Sequence, residues 1–139
     1  MAVRLQHVSI PMPPGGQAAA RAFFGEILGL QEVPAPPTLA AARLVWFKMG
    51  DTELHIFSDE APNARSARHF CLAVDDVEAL RARLEEAGVT VEHTTPIPGR
   101  PRYFCRDPFD NLIEITTIES DYLQDLDLRA VNPQETKAS

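Results

Sequence analysis

The chain has no apolar run near the roughly 20 residues that span a bilayer, so a membrane-spanning helix is not expected from its sequence. It also lacks an excess of basic charge: 13 Lys and Arg stand against 20 Asp and Glu, for a net charge of −7. A nucleic-acid partner would need a basic face to neutralise phosphates, so that class of function is set aside. Cysteine is scarce. Cys71 and Cys105 each sit alone in a strand-like run, and both read as free buried thiols in a reducing compartment. The opening stretch Met1-Ala2-Val3-Arg4-Leu5-Gln6-His7 has no signal-peptide core and leads straight into a strand, so a cytoplasmic, unprocessed protein is expected. What is present is ordinary for a globular protein: 45% hydrophobic and 24% charged residues in 139, enough for one domain or two small modules sharing a core.

Residues 4–11 alternate between two environments, as a strand does, until Pro11-Met12-Pro13-Pro14-Gly15-Gly16 breaks the pattern. A helix is predicted over about 17–28, with Ala20, Phe24, Ile27 and Leu28 at helical spacing and Gly29 as its stop. Leu30 to Val33 reads as a short strand. Arg43 to Met49 and Thr52 to Phe57 read as two more, joined by Gly50-Asp51. The polar stretch 59–67 reads as a linker, and the order β-α-β-β-β then repeats. Residues 68–74 form a strand, and Asp75 with Glu78 suggests a helix start. Val77, Leu80, Leu84 and Ala87 supply the apolar stripe of that helix. Strands are expected at Val89 to His93, Arg102 to Arg106 and Leu112 to Thr117. The reading is an α+β protein of two tandem βαβββ modules, 1–58 and 68–118, forming a curved, cleft-lining mixed sheet with helices on its outer face. A tail at 119–139, partly disordered, carries Tyr122, Leu123, Leu126 and Leu128, which could dock a short helix.

The repeat places polar residues at matched positions. His7 opens the first half and His55 closes it, 48 residues on; His69 opens the second and Glu114 closes it, 45 residues on. In each strand the alternation puts this residue opposite the face that packs under a helix, so all four are expected to point into one cleft. A lone strand histidine is ordinarily hydrogen-bonded or solvated, and His93, which matches no position, is read that way. Three of four histidines at repeat-equivalent positions, with a glutamate at the fourth, instead suggest a shared metal site.

These residues resemble the vicinal oxygen chelate superfamily, which includes glyoxalase I, extradiol dioxygenases, fosfomycin-resistance transferases and bleomycin-resistance proteins. The resemblance covers roughly residues 4–118. It is most specific at Ala22-Phe23-Phe24-Gly25-Glu26-Ile27-Leu28-Gly29-Leu30 and at Phe104-Cys105-Arg106-Asp107-Pro108-Phe109-Asp110-Asn111-Leu112-Ile113-Glu114. It implies His7, His69 and Glu114 as ligands of a divalent metal (Fe2+, Mn2+, Ni2+, Co2+ or Zn2+). His55 departs from the glutamate that glyoxalase I enzymes carry at that position. It is assigned here to substrate contact, with a role as fourth ligand left open.

By this resemblance the chain is a metal-dependent enzyme acting on a small oxygenated substrate, of lyase/isomerase or dioxygenase type, with Glu114 as a ligand that also handles a proton. The alternative is a non-catalytic small-molecule binding or sequestering protein of the bleomycin-resistance type. Pairing of modules from two chains implies a homodimer. On the strand before Asp107, Arg102, Phe104 and Arg106 share a face. Trp46 and Lys48 share one in the first module. Arg102, Phe104 and Trp46 are therefore expected to line the substrate, and the arginine suits an anionic one.

Overall fold

The computed structural model describes residues 1–61 and 63–120; the tail expected beyond 120 lies outside the described residues. The first half runs β1 (His7–Met12), α1 (Gln17–Ala20), β2 (Gln31–Val33), β3 (Val45–Met49) and β4 (Thr52–Ser58). The second runs β5 (His69–Ala73), α2 (Val77–Glu86), β6 (Arg102–Arg106) and β7 (Leu112–Thr116). They make two mixed sheets, ordered β1-β4-β3-β2 and β5-β7-β6. In each sheet the first strand pairs in parallel with the last, and the hairpin partner pairs antiparallel. No helix among the described residues is long and apolar enough to cross a membrane.

One face of each sheet is dry because the alternation puts its apolar residues there. Ile10, Val45, Phe47, Leu54 and Ile56 pack against Ala20, Phe23 and Phe24, and Tyr103, Cys105, Ile113 and Ile115 share the same core with Val77, Leu80 and Leu84. The first helix departs from expectation after one turn. It continues as a π-helix over Arg21–Ile27, with Leu28 N–H donating to the Phe23 carbonyl. The wider turn lets the adjacent Phe23 and Phe24 both reach the core, where they meet edge-on at 4.9 Å. In the second helix the cap is Asp76 rather than Asp75. Its extended backbone lets the carboxylate accept from the N–H groups of Glu78 and Ala79.

The strand expected at Val89 to His93 is reduced to a single bridge between Glu92 and Phe104. Pro96, Pro98 and Pro101 follow it closely, and a residue without N–H cannot extend a ladder. The second sheet therefore has three strands where the first has four.

The turn between β6 and β7 is built on Asp107, which is 5% exposed. Its carboxylate accepts from the N–H groups of Phe109 and Asn111 and from the Asn111 side chain. Asn111 also donates to the Pro11 carbonyl, and Arg83 donates to that of Glu26, so the two halves are bonded to each other. Burial pushes the Asp107 carboxyl above its ordinary range despite these hydrogen bonds. Replacing Asp107 by alanine strands buried donors and should lower unfolding free energy by about 2–4 kcal/mol in denaturant titrations. Because the folded state holds the Asp107 proton more tightly than the unfolded chain does, its contribution weakens as pH rises through the carboxyl range. The gap between the parent and Asp107→Ala should therefore narrow from acid to neutral pH, and a gap that widens would contradict the assignment.

Candidate metal and substrate site

Pairing aligns the polar faces across strands. In the first sheet Ser9, His55 and Trp46 form one row, and His7, Glu53 and Lys48 the next. The His55 ring lies between two others. The Trp46 ring centroid is 3.6 Å away and nearly parallel at 2°, and the His7 ring is 4.2 Å away at 14°. His55 Nε2 meets Glu53 Oε2 at 2.6 Å, and that hydrogen bond holds the Glu53 carboxyl below its usual value. His7 is held differently: its Nδ1 lies 2.6 Å from Gln6 Oε1. An amide oxygen only accepts, so the neutral ring carries its proton on Nδ1 and leaves the Nε2 lone pair free.

The second sheet repeats the rows, with Cys71, Glu114 and Phe104 in one and His69, Leu112 and Arg106 in the other. His69 stands edge-on to Phe104 at 5.0 Å. Its Nδ1 lies 2.9 Å from the Ala67 carbonyl, again an acceptor, so Nε2 again carries the lone pair. That nitrogen lies 3.2 Å from Glu114 Oε2. Two acceptors at this distance call for a proton or a cation between them, and neighbouring ligands bound at about 2.1 Å to one ion sit about 3 Å apart. This one His–carboxylate pair has the spacing of two ligands of a divalent ion and equally that of a pair sharing a proton.

The other Glu114 oxygen, Oε1, accepts from Arg102 Nη1 at 3.0 Å, and both side chains are 14% exposed. Arg102 also donates through Nε and Nη2 to the Thr95 carbonyl at 3.2 and 2.8 Å, and its guanidinium lies 5.8 Å from the Phe104 ring centroid. Arg106 is likewise occupied, donating to the carbonyls of Asp110 and Ser66. Both cysteines are free, but only Cys105 is buried: Cys71 is exposed on the polar face, where partial desolvation and then the Glu114 carboxylate push its thiol up to about 11. A cavity of about 350 Å3 is lined by the edge strands β1 and β5, with Ser9, His69 and Asn111 among its walls.

The structure brings His69, Glu114, Arg102 and Phe104 together on one sheet, and His7, His55 and Trp46 on the other. It does not bring His7 to His69 and Glu114: among the described residues no three His, Cys, Asp or Glu side chains converge to hold a metal ion. Gln6, Glu53, Ala67 and Thr95, which orient these groups, were not singled out from sequence. The first two had a signal, since Gln6 adjoins His7 and Glu53 shares the His55 face by alternation. A carbonyl such as that of Ala67 or Thr95 has none.

Comparison with known proteins agrees with this architecture. A solved glyoxalase family protein from Bacillus anthracis is 30% identical, with a TM-score of 0.80 over 85% of this chain and 97% of that one. TnmS3, an antibiotic binding protein from Streptomyces sp. CB03234, is 30% identical with a TM-score of 0.69, covering 85% and 98%. A lactoylglutathione lyase from Agrobacterium tumefaciens is 26% identical with a TM-score of 0.66, covering 84% and 95%. No curated protein sequence matches the chain. The sequence pattern that matches runs over residues 4–115, from ahead of β1 into β7, through both halves and every strand that carries the polar rows. On that match the chain belongs to the Glyoxalase/Bleomycin resistance protein/Dioxygenase superfamily.

Proposed function

We propose that this protein is a metal-dependent enzyme acting on a small oxygenated substrate, with His7, His69 and Glu114 as the metal ligands. The observation that carries the reading is shared by the two histidines: each has Nδ1 within hydrogen-bond distance of an oxygen acceptor, which leaves Nε2 as the ring nitrogen open to a ligand, and Nε2 of His69 faces a carboxylate. Metal-binding histidines are oriented in this way, by a hydrogen bond from the ring nitrogen that does not bind. His55 differs, because Glu53 takes its Nε2. We assign it to the wall of the substrate site, between Trp46 and His7.

The ligands fall in two half-sites on different sheets, so a complete set needs a second copy of the chain. His7 of one protomer then meets His69 and Glu114 of its partner. Val3 and Leu5, exposed just ahead of edge strand β1, suit burial in such a homodimer.

When bound, a divalent ion supplies Lewis acidity, holding neighbouring substrate oxygens and stabilising charge on an enolate or oxyanion. Around it, Phe104 and Trp46 offer apolar walls to the substrate's carbon frame. Glu114 keeps Oε2 toward His69 and Oε1 on Arg102. Lyase/isomerase and dioxygenase chemistry share these requirements. A second reading, a small-molecule binding protein without turnover, is favoured by the 30% identity to an antibiotic binding protein. Metal analysis followed by turnover assays separates the two, since product formation supports the first and stoichiometric binding without product the second.

Purified without added metal, the parent should hold a divalent ion, and His69→Ala and Glu114→Ala should lose it while keeping the parental circular dichroism. Free metal at 100 times its Kd should stabilise the parent by about 2.7 kcal/mol and leave both variants unmoved. Metal retained by both variants removes these residues from the site.

The shared site makes a sharper demand. A heterodimer of one His7→Ala chain and one Glu114→Ala chain places both lesions in one site and leaves the other intact. Co-expressed chains carrying different tags should regain half the parental metal content, while neither homodimer binds. No recovery in the isolated heterodimer, or a monomer mass by light scattering, would contradict the shared site.

A further inference from the structure

Sequence reasoning offers Arg102 to an anionic substrate, but its hydrogen bonds run elsewhere. Nε and Nη2 grip the Thr95 carbonyl, and Nη1 holds Glu114 Oε1. We propose that Arg102 is a positioning residue: it ties one oxygen of Glu114 to the 94–101 loop so that the carboxylate presents only Oε2 beside His69. The inference rests on the metal reading above and adds a role for the opposite side of the ligand.

Three observations carry it. The two Glu114 oxygens are divided, Oε1 to Arg102 at 3.0 Å and Oε2 toward His69 at 3.2 Å, so the carboxylate plane is fixed from both ends. The arginine is itself fixed, because two of its nitrogens share one backbone carbonyl and its guanidinium lies near the Phe104 ring. Both partners are 14% exposed, so water screens the pair far less than it would a surface ion pair. A planar fork that holds a carbonyl and a carboxylate at once is a property of guanidinium, and an ammonium lacks it. Carboxylate ligands are held by hydrogen bonds of this kind, and losing the partner commonly weakens metal binding by roughly 10–100-fold.

The sign of the effect tests the proposal. A cation that merely stands near the site repels an incoming metal ion, so removing it tightens binding. Removing a positioning residue weakens it. Co2+ is titrated calorimetrically into metal-free parent, Arg102→Met and Arg102→Lys homodimers at one pH and ionic strength. The Met variant keeps the stem over Phe104 and loses every donor; the Lys variant keeps the charge and loses the fork. Weaker Co2+ binding by Arg102→Met, roughly 10-fold or more, with partial recovery in Arg102→Lys and an altered cobalt visible spectrum, is the expected result. If the Met variant does not fold, weakened binding by Arg102→Lys alone supports the proposal, since its charge is unchanged. Binding as tight as the parent's or tighter in the folded variants overturns it and leaves the metal site standing. A parent that binds no Co2+ overturns both.

Discussion

The parallel pairing of the first and last strand in each half is the constraint on which the site depends. It sets Ser9 beside His55 and Cys71 beside Glu114, and places each opening histidine one row away on the same face. A shift of one residue in either register would turn the histidine or the carboxylate into the helix-covered core, where an unpaired charge is costly. The dry face prevents that shift. Leu54, Ile56, Ile113 and Ile115 are fully buried, and moving them to the polar face would expose them to water.

The polar faces of the two halves are similar in plan and different in chemistry. Trp46 and Phe104 occupy equivalent positions beside His55 and Glu114, so each half sets an aromatic ring against its closing polar residue. Two residues earlier the equivalence ends: Leu44 stands in the first half where Arg102 stands in the second. With no arginine there, the first half satisfies His55 through Glu53 on its own strand and two stacked rings. The second half satisfies a carboxylate with an imidazole and a guanidinium. One half carries two stacked imidazoles, and the other carries one imidazole beside a carboxylate.

Much of this was legible in the sequence because period-2 alternation encodes the faces directly. The rows of His7, His55, Trp46, His69, Glu114, Phe104 and Arg102 could all be assigned to the side opposite the helices from which residues are apolar. The βαβββ repeat was legible for the same reason, together with its Gly and Pro punctuation. The π-helical turn at Arg21–Ile27 was not, since it arises from packing two adjacent phenylalanines against a sheet whose position the local pattern does not contain. The loss of the strand at Val89 to His93 turns on prolines beyond it. The separation of His7 from His69 and Glu114 onto two sheets was also hidden, because alternation gives the face of a strand and not the relative placement of two sheets.

What a side chain faces and what it is bonded to are separate questions, and Arg102 shows the difference. Alternation put it on the ligand face, and charge complementarity then pointed to an anion. The nearest anion is within the protein, however. Glu114 lies in the neighbouring strand and Thr95 in the preceding loop, and both are available before any ligand arrives. An internal partner at fixed distance costs no association entropy, so it engages the guanidinium ahead of a dilute one. Arg106, two residues on, follows the same logic with the carbonyls of Asp110 and Ser66. With both arginines engaged by the protein, the aromatic groups that remain on the polar faces are Trp46, His55 and His7 on one sheet and Phe104 beside His69 on the other.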